Sequence, residues 1–503
     1  MSELPLQRRF ERQVVRFQAR LEAGVGDRWI PTLISIGLAV VIIRSGLARL
    51  AGYGSGIDLA GYTQSVWLLS EGKVPEASLF GTGVHLLELH WSFILYPLGL
   101  VSVVAPAAQV LIYAQGAALG LAVLPLWRLA RRVANLRVGA ASALVMAYAL
   151  HPATHRLGTE DFHPESLAVP ALIGMAYFGA TKRWVLYWLC IAAALACRAD
   201  LGLAVALWSF VVLGHRERSV GVWTLGVGLS WSLGLLLVVQ PLFGQSVVTE
   251  GFFGFDGTSL GEDVLGALRA PLSTLQDLVA RDNITLIVGL LAPVIFLPLL
   301  SLRHLAPAFP LAVLYLIADL PPELAFADRA AMLLAFVMIA ATYALNRLGH
   351  MGVDRVFLDA RILSTLVAAS VLLFVSSSRI SPYEEPWNWD RLDEPDRALQ
   401  EAVALLDDDT TVRASPSALA HLAERPWLFP VDPRREPTAA QAGFPRFTRA
   451  VLVDERQIPT RTASEREQFD RGMTSQGFEL VYDRAGIALY ERDASTAESV
   501  VPG

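Results

Sequence analysis

Long apolar runs broken by short basic clusters fill the chain from residue 30 to 378, after which the pattern changes. The first run, from about Ile30 to Leu50, is long enough to span a bilayer, which takes about 20 residues. No small-residue cleavage site in a polar region follows it, so it reads as an anchor and not as a removed signal peptide. The basic clusters are RLARR (128–132), KR (182–183), HRER (215–218), RH (303–304) and the stretch from Arg347 to Arg361. By the positive-inside rule they belong in the cytoplasm, together with an N-terminus carrying Arg8, Arg9, Arg12, Arg16, Arg20 and Arg28. Residues 52–90 hold a single basic residue, Lys73, which suits the opposite side.

That arrangement allows one crossing between residues 90 and 128, yet two apolar runs lie there. The run WSFILYPLGLVSVV (91–104) is short and closed by Pro106, so it is expected to lie in the interface or to re-enter, leaving 108–127 to cross. Further crossings are expected near 138–150, 166–181, 184–197, 199–214, 220–243, 284–302, 305–320, 330–345 and 362–378. The fold class is therefore mainly α: a polytopic membrane helix bundle of about eleven crossings. Residues 1–29 are read as a basic cytoplasmic N-terminus and 30–378 as the membrane domain. The segment 379–503 is polar and acid-rich. EPDRALQEAVALL has helical spacing, TVRAS and RAVLVDE read as short strands, and FELVYDRAGIALYER alternates around Asp483–Gly486 like a hairpin. A small external α/β domain is expected.

Composition agrees. Of 503 residues 54% are hydrophobic and 17% charged, more apolar than a soluble domain can bury. The net charge of −6 hides the basic N-terminus and the acidic C-terminal part, and nucleic acid is not an expected partner. Cys190 and Cys197, on one helix, would stand about 10 Å apart, beyond disulfide reach.

With this topology the ionisable residues collect at the external ends of crossings. They are Asp58, the set His85, Glu88 and His90, the stretch GTEDFHPES (158–166), the pair Arg198 and Asp200, and Glu323, Asp328 and Arg329. Charged groups at membrane depth are costly and usually face a cavity or a partner, so one outward-facing cavity is expected. Each group also has a plainer reading. Asp58 suits a solvated loop or an N-cap for a helix starting at Leu59 as well as catalysis. His85-x-x-Glu88-x-His90 offers metal ligands without the HExxH spacing, and such residues more often cap and pair. Arg198 suits snorkelling or anion binding. DFHPE suits a proline-led helix start with acids at its positive end, or a surface turn.

The blocks IDLAGYTQSVWLLSEGK, HWSFILYPLGLV, LPLWRLARRVANLRVGAASALVMAYALHPA, DFHPESLAVPALI and RADLGLAVAL resemble, in that order, the polytopic membrane proteins grouped as domain of unknown function 2079. VRASPSALAHLAERPWLFPVDP resembles the external portion of that family. The sequence departs from it at 198–200, where RAD stands in place of a Lys-Glu-Asp-like run. The family is similar in architecture to the C-type membrane glycosyltransferases, which take a sugar from a polyprenyl-phosphate carrier outside the cytoplasm. That pattern has an acidic residue in the first external loop, interfacial helices in that loop, and a basic end to the second helix. Asp58, 91–104 and RLARR occupy the matching places.

The resemblance implies a polyprenyl-phosphate-linked sugar and membrane lipids as partners. Such a transfer needs a carboxylate to take the acceptor's proton and positive charge for the phosphate leaving group. Asp58 and Asp161 are the catalytic candidates. His163, Glu165, Arg198, Asp200 and Arg329 are candidates for binding substrate, and a divalent metal ion, held by His85, Glu88 and His90, is a further expectation. The amphipathic stretch 263–280 is expected to line the lipid's access path. The alternatives are a transporter or flippase of lipid-linked sugars, with the same acids as a substrate or proton site, and a noncatalytic envelope scaffold whose external domain binds partners.

Overall fold

The fold comes from a computed structural model. It describes residues 24–81, 84–87, 91–234, 280–317, 322–351, 355–431, 444–445, 447–457 and 463–492 and the isolated positions 238, 239, 269, 272 and 276; at 281–282, 317, 322–331 and 463 it describes the backbone alone. The stretch 263–280, Glu88 and His90 lie outside the described residues, as do the side chains of Glu323, Asp328 and Arg329.

Every run expected to cross carries helix. Four stretches are long and apolar enough to cross on their own among the described residues: Gly26–Ala51, Ala107–Val133, Leu297–Leu316 and Ala360–Asn388. Shorter apolar helices, among them Val138–Ala149, Glu165–Ala180, Trp184–Leu195 and Leu201–Gly214, lie between them. The chain is a membrane protein, and large apolar side chains face outward accordingly. Leu33, Ile36, Val40 and Val41 form an exposed strip at helical spacing on Gly26–Ala51.

The chain folds as two compact units. The first comprises Met1–Ile43, Gln115–Gly158 and Pro164–Glu384; the second comprises Arg44–Ala114, Thr159–His163 and Glu385–Gly503.

In the first unit the helix Pro322–Leu348 is buried on all sides from Met332 to Ala341, the mark of a central helix. The helices Leu201–Gly214 and Arg218–Gly234 meet through small residues. A Cβ on Gly202 would stand 2.4 Å from the Gly228 carbonyl oxygen, so only glycine permits this backbone approach. One boundary differs from expectation. The helix Arg281–Leu291 does not run on to residue 302, because Ile295 and Phe296 adopt left-handed backbone (φ 46° and 56°) before helical turns resume at Leu297. Pro293 and Pro298 flank the break and withhold the amides a continuous helix would need.

In the second unit the run 91–104 becomes the eight-residue helix Leu95–Ser102, about 12 Å long by its rise and far short of a bilayer. Leu100, Val103 and Val104 around its end are exposed, as an interfacial segment requires. The helix Ile57–Ser70 is buried from Leu59 to Val66. Its Gln64 amide reaches Ser78 Oγ (3.1 Å) and the carbonyls of Arg425 (3.1 Å) and Pro426 (3.2 Å). Ser78 Oγ in turn donates to the Leu428 carbonyl and accepts from the Leu428 amide. The first loop is thus stitched to the C-terminal sheet by a buried polar network in which each partner satisfies another.

That sheet has five strands, ordered Leu428–Pro430, Val412–Ala414, Ala450–Asp454, Ile487–Arg492 and Phe478–Arg484. The first three run parallel and the last two add antiparallel. The expected hairpin is present, with Ala485 and Gly486 both at positive φ in its turn. The helix Glu394–Ala404 opens with a capping box from Asp393 and Asp396. Val451, Val453, Phe469, Met473, Phe478 and Tyr490 make the core on one side. The end of Gly26–Ala51 also docks here: His421 stacks on Tyr53 (4.1 Å between centroids) and its Nε2 lies 2.8 Å from the Leu50 carbonyl oxygen. Burial holds the His421 imidazole below its ordinary pKa against the pull of that carbonyl.

Candidate functional site

The helix Ile57–Ser70 follows the glycine-rich turn GYGSG, and its N-cap residue, Gly56, has no side chain to satisfy the first amides. Asp161 does so from about a hundred positions away. Its Oδ1 accepts from the Gly56 amide (2.8 Å) and its Oδ2 from the amides of Asp58 (3.2 Å) and Leu59 (3.3 Å). A Cβ at Gly56 would meet Asp161 Oδ2 at 2.6 Å, so the cap depends on glycine here. The Arg49 guanidinium lies 4.0 Å from Asp161 Oδ1 and donates to the carbonyls of Gly54 and Thr159. Phe162 packs edge-on against Tyr62 (5.5 Å) and His163 is buried, so 159–163 lies strapped against the helix.

Asp58 stands in the first turn of this helix, half-buried, where the positive end of the helix dipole favours a carboxylate. The helix begins at Ile57 rather than Leu59, and the cap that Asp58 might have supplied comes from Asp161. Two candidate acids are therefore together with different work: the Asp161 carboxylate accepts three backbone hydrogen bonds, and Asp58 rides on the turn those bonds hold. Asp161→Ala is expected to lower stability by about 1–2 kcal/mol, the usual cost of losing a cap. Asp161→Asn keeps an acceptor oxygen and should lose less, in thermal unfolding of the purified protein. An unchanged melting temperature in Asp161→Ala would rule the capping role out.

The remaining substrate candidates form a second cluster, in the first unit. Glu165 opens the helix Glu165–Ala180 and is fully buried. Arg198 is buried and donates through Nη1 to Glu165, through Nε to Asp200 (3.1 and 3.2 Å), and through Nη2 to the Tyr315 hydroxyl (2.7 Å). That hydroxyl donates to Asp200, whose carboxylate therefore leaves its own helix start at Leu201 uncapped. One guanidinium between two carboxylates leaves a formal charge of −1, so a phosphate approaching Arg198 would meet two acids already holding it. Glu165 Oε2 has no hydrogen-bond partner among the described residues, an acceptor that suits a donor group.

Tyr315 and Arg49 escape sequence reading. Tyr315 sits inside the apolar run FPLAVLYLI, where nothing marks its hydroxyl as paired, and Arg49 reads as a plain interfacial anchor. Of the expected metal ligands only His85 is described, and its Nδ1 accepts from the Leu87 amide (3.1 Å). Among the described residues no group of three or more His, Cys, Asp or Glu side chains converges as a metal site would require.

The sequence profile of the family described as "Predicted membrane protein (DUF2079)" matches residues 52–489. The chain belongs to this family. Both DFHPE and the helix bearing Asp58 lie inside the DUF2079 match. Among curated protein sequences none matches. Solved structures do: ArnT from Cupriavidus metallidurans in the apo state superposes with a TM-score of 0.54 at 11% identity, covering 93% of this chain and 99% of that one. ArnT from the same organism bound to undecaprenyl phosphate gives 0.53 at 11% identity over the same shares. The DUF2079 chain thus shares the fold of ArnT.

Proposed function

We propose that this protein transfers a sugar from a polyprenyl-phosphate carrier to an acceptor outside the cytoplasm, with Asp58 as the base. The observation that carries the reading is a carboxylate on a helix start fixed by Asp161, in a chain that shares the fold of a protein solved with undecaprenyl phosphate. The acceptor hydroxyl gives its proton to Asp58 as its oxygen bonds to the anomeric carbon. The anomeric carbon–phosphate oxygen bond breaks, and the polyprenyl phosphate leaves with both electrons. Asp161 positions Asp58, and His163, buried in the adjoining strap, orients the acceptor.

The leaving phosphate needs positive charge. Arg198 is already shared by Glu165, Asp200 and Tyr315, so a divalent metal ion would supply it in this scheme. The N-terminus is assigned to the cytoplasm and 379–503 to the outside, by the distribution of arginines.

The test is a transfer assay with the purified protein in lipid nanodiscs, a panel of radiolabelled polyprenyl-phosphate hexoses, and envelope extract from a deletion strain as acceptor. Label should move from lipid to acceptor, and the deletion strain should accumulate the lipid-linked donor. Movement of intact lipid-linked sugar across vesicle membranes without transfer would replace the enzyme with a transporter.

A further inference from the structure

The geometry points to a second site, unrelated to sugar transfer, that binds the phosphate headgroup of an anionic membrane lipid at the start of the helix Gly26–Ala51. A cavity of about 360 Å³, within the range of small-ligand sites, lies between the start of Gly26–Ala51 and the end of the helical stretch Ala107–Val133. Asp27, Arg28, Trp127, Arg128, Arg131 and Arg132 line it.

The charges there are not balanced. Asp27 is the only carboxylate in the lining among the described residues, and it is spent on Arg131, whose Nε stands 2.6 Å from Asp27 Oδ1 and whose Nη2 reaches Oδ2 at 3.2 Å. Trp127 Nε1 donates to the same carboxylate (3.1 Å), and Arg131 Nη1 to the Leu136 carbonyl (2.7 Å). Arg131 is buried and acts as a pin between the two helices. A π turn at Leu129–Val133, closed by the Ala134 amide on the Leu129 carbonyl (3.0 Å), gives the helix the extra residue that accompanies this inward turn.

Arg28, Arg128 and Arg132 are exposed on the rim, and none is paired with a carboxylate among the described residues. Three cationic forks around one cavity call for phosphate, which they can bind bidentately.

The surroundings favour a lipid as its source. The exposed strip Leu33, Ile36, Val40 and Val41 begins directly after the lining residue Thr32 on the same helix, placed to receive acyl chains. Trp29 is exposed beside the cavity, with Arg28 over its ring (5.7 Å), as at a headgroup boundary. By its arginines this end faces the cytoplasm, whose leaflet carries anionic lipids.

The test uses the delipidated full chain in a neutral detergent, titrated with phosphatidylglycerol, phosphatidylcholine or glycerol phosphate and followed by native mass spectrometry and thermal unfolding. Phosphatidylglycerol should bind and raise the melting temperature, and the other two should not. Each arginine near the surface is worth about fivefold in affinity, so R28Q/R128Q/R132Q should weaken binding on the order of a hundredfold. Added salt should weaken the wild type and barely touch the variant. If the triple variant fails to fold, R128Q alone should show the fivefold loss. Undiminished phosphatidylglycerol binding in either variant, or equal binding of phosphatidylcholine, would overturn the site. Equal binding of glycerol phosphate would overturn the lipid and leave a soluble phosphate ester as the ligand.

Discussion

Asp58→Asn is expected to lower turnover by about 10²–10⁴-fold, the usual contribution of a positioned general base, with little change in folding. Asparagine matches aspartate in size and still fits the first helical turn, so the stability cost is the lost charge at the helix N-terminus, about 0.3–1 kcal/mol. The Asp161 cap on the neighbouring amides stays in place. The diagnostic comparison is with Asp161→Asn, which keeps an acceptor for those amides and should retain most turnover. If the two variants lose activity equally, Asp161 is a partner in the chemistry and not only its support. If Asp58→Asn transfers sugar at the wild-type rate, Asp58 is not the base.

Arg198→Met is expected to cost about 3–5 kcal/mol, because it strands two carboxylates that the guanidinium now holds. Glu165 is fully buried and cannot turn to water, so a large share of the loss falls on it. Lysine at 198 should recover only part of the loss, since one ammonium cannot reach Glu165, Asp200 and Tyr315 with the fork that arginine presents. Adding Glu165→Gln to Arg198→Met should restore part of the stability, since Asp200 still lacks the guanidinium, and the coupling in that double-mutant cycle measures the pair. Additive losses would mean that Arg198 and Glu165 do not depend on each other. The experiment reads chemical or thermal unfolding in nanodiscs and needs no substrate.

The helical runs were legible in the sequence because lipid demands continuous apolar stretches, and those can be read without knowing their neighbours. The break at Ile295–Phe296 was legible only afterwards: Pro293 and Pro298 signal that a helix will stop, but not that the chain will turn through left-handed backbone there. Alternation announced the hairpin 478–492, whereas Leu428–Pro430, three residues ending in proline, carried no period to find. At the candidate site the ionisable residues were visible as chemistry out of place. What each one does was not. Asp161 as the cap of another segment's helix, and Arg198 shared by acids 33 positions before it and two after it, are products of tertiary contact, which local spacing does not encode.

The Gln64 network also sets a clock. Its donors and acceptors are separated by 361 positions of chain, so the helix bearing Asp58 is made early and completed late. At about 5–20 residues per second of synthesis, the Gln64 amide waits on the order of 20–70 s for the Arg425 carbonyl to be made. Through that interval a polar side chain destined for full burial has only its local partners at Ser78 and Leu79, and a ribosome that stalls before residue 425 leaves the network unfinished. Truncations that remove residues 425–428 would therefore act on the segment around Gln64, at the other end of the gene.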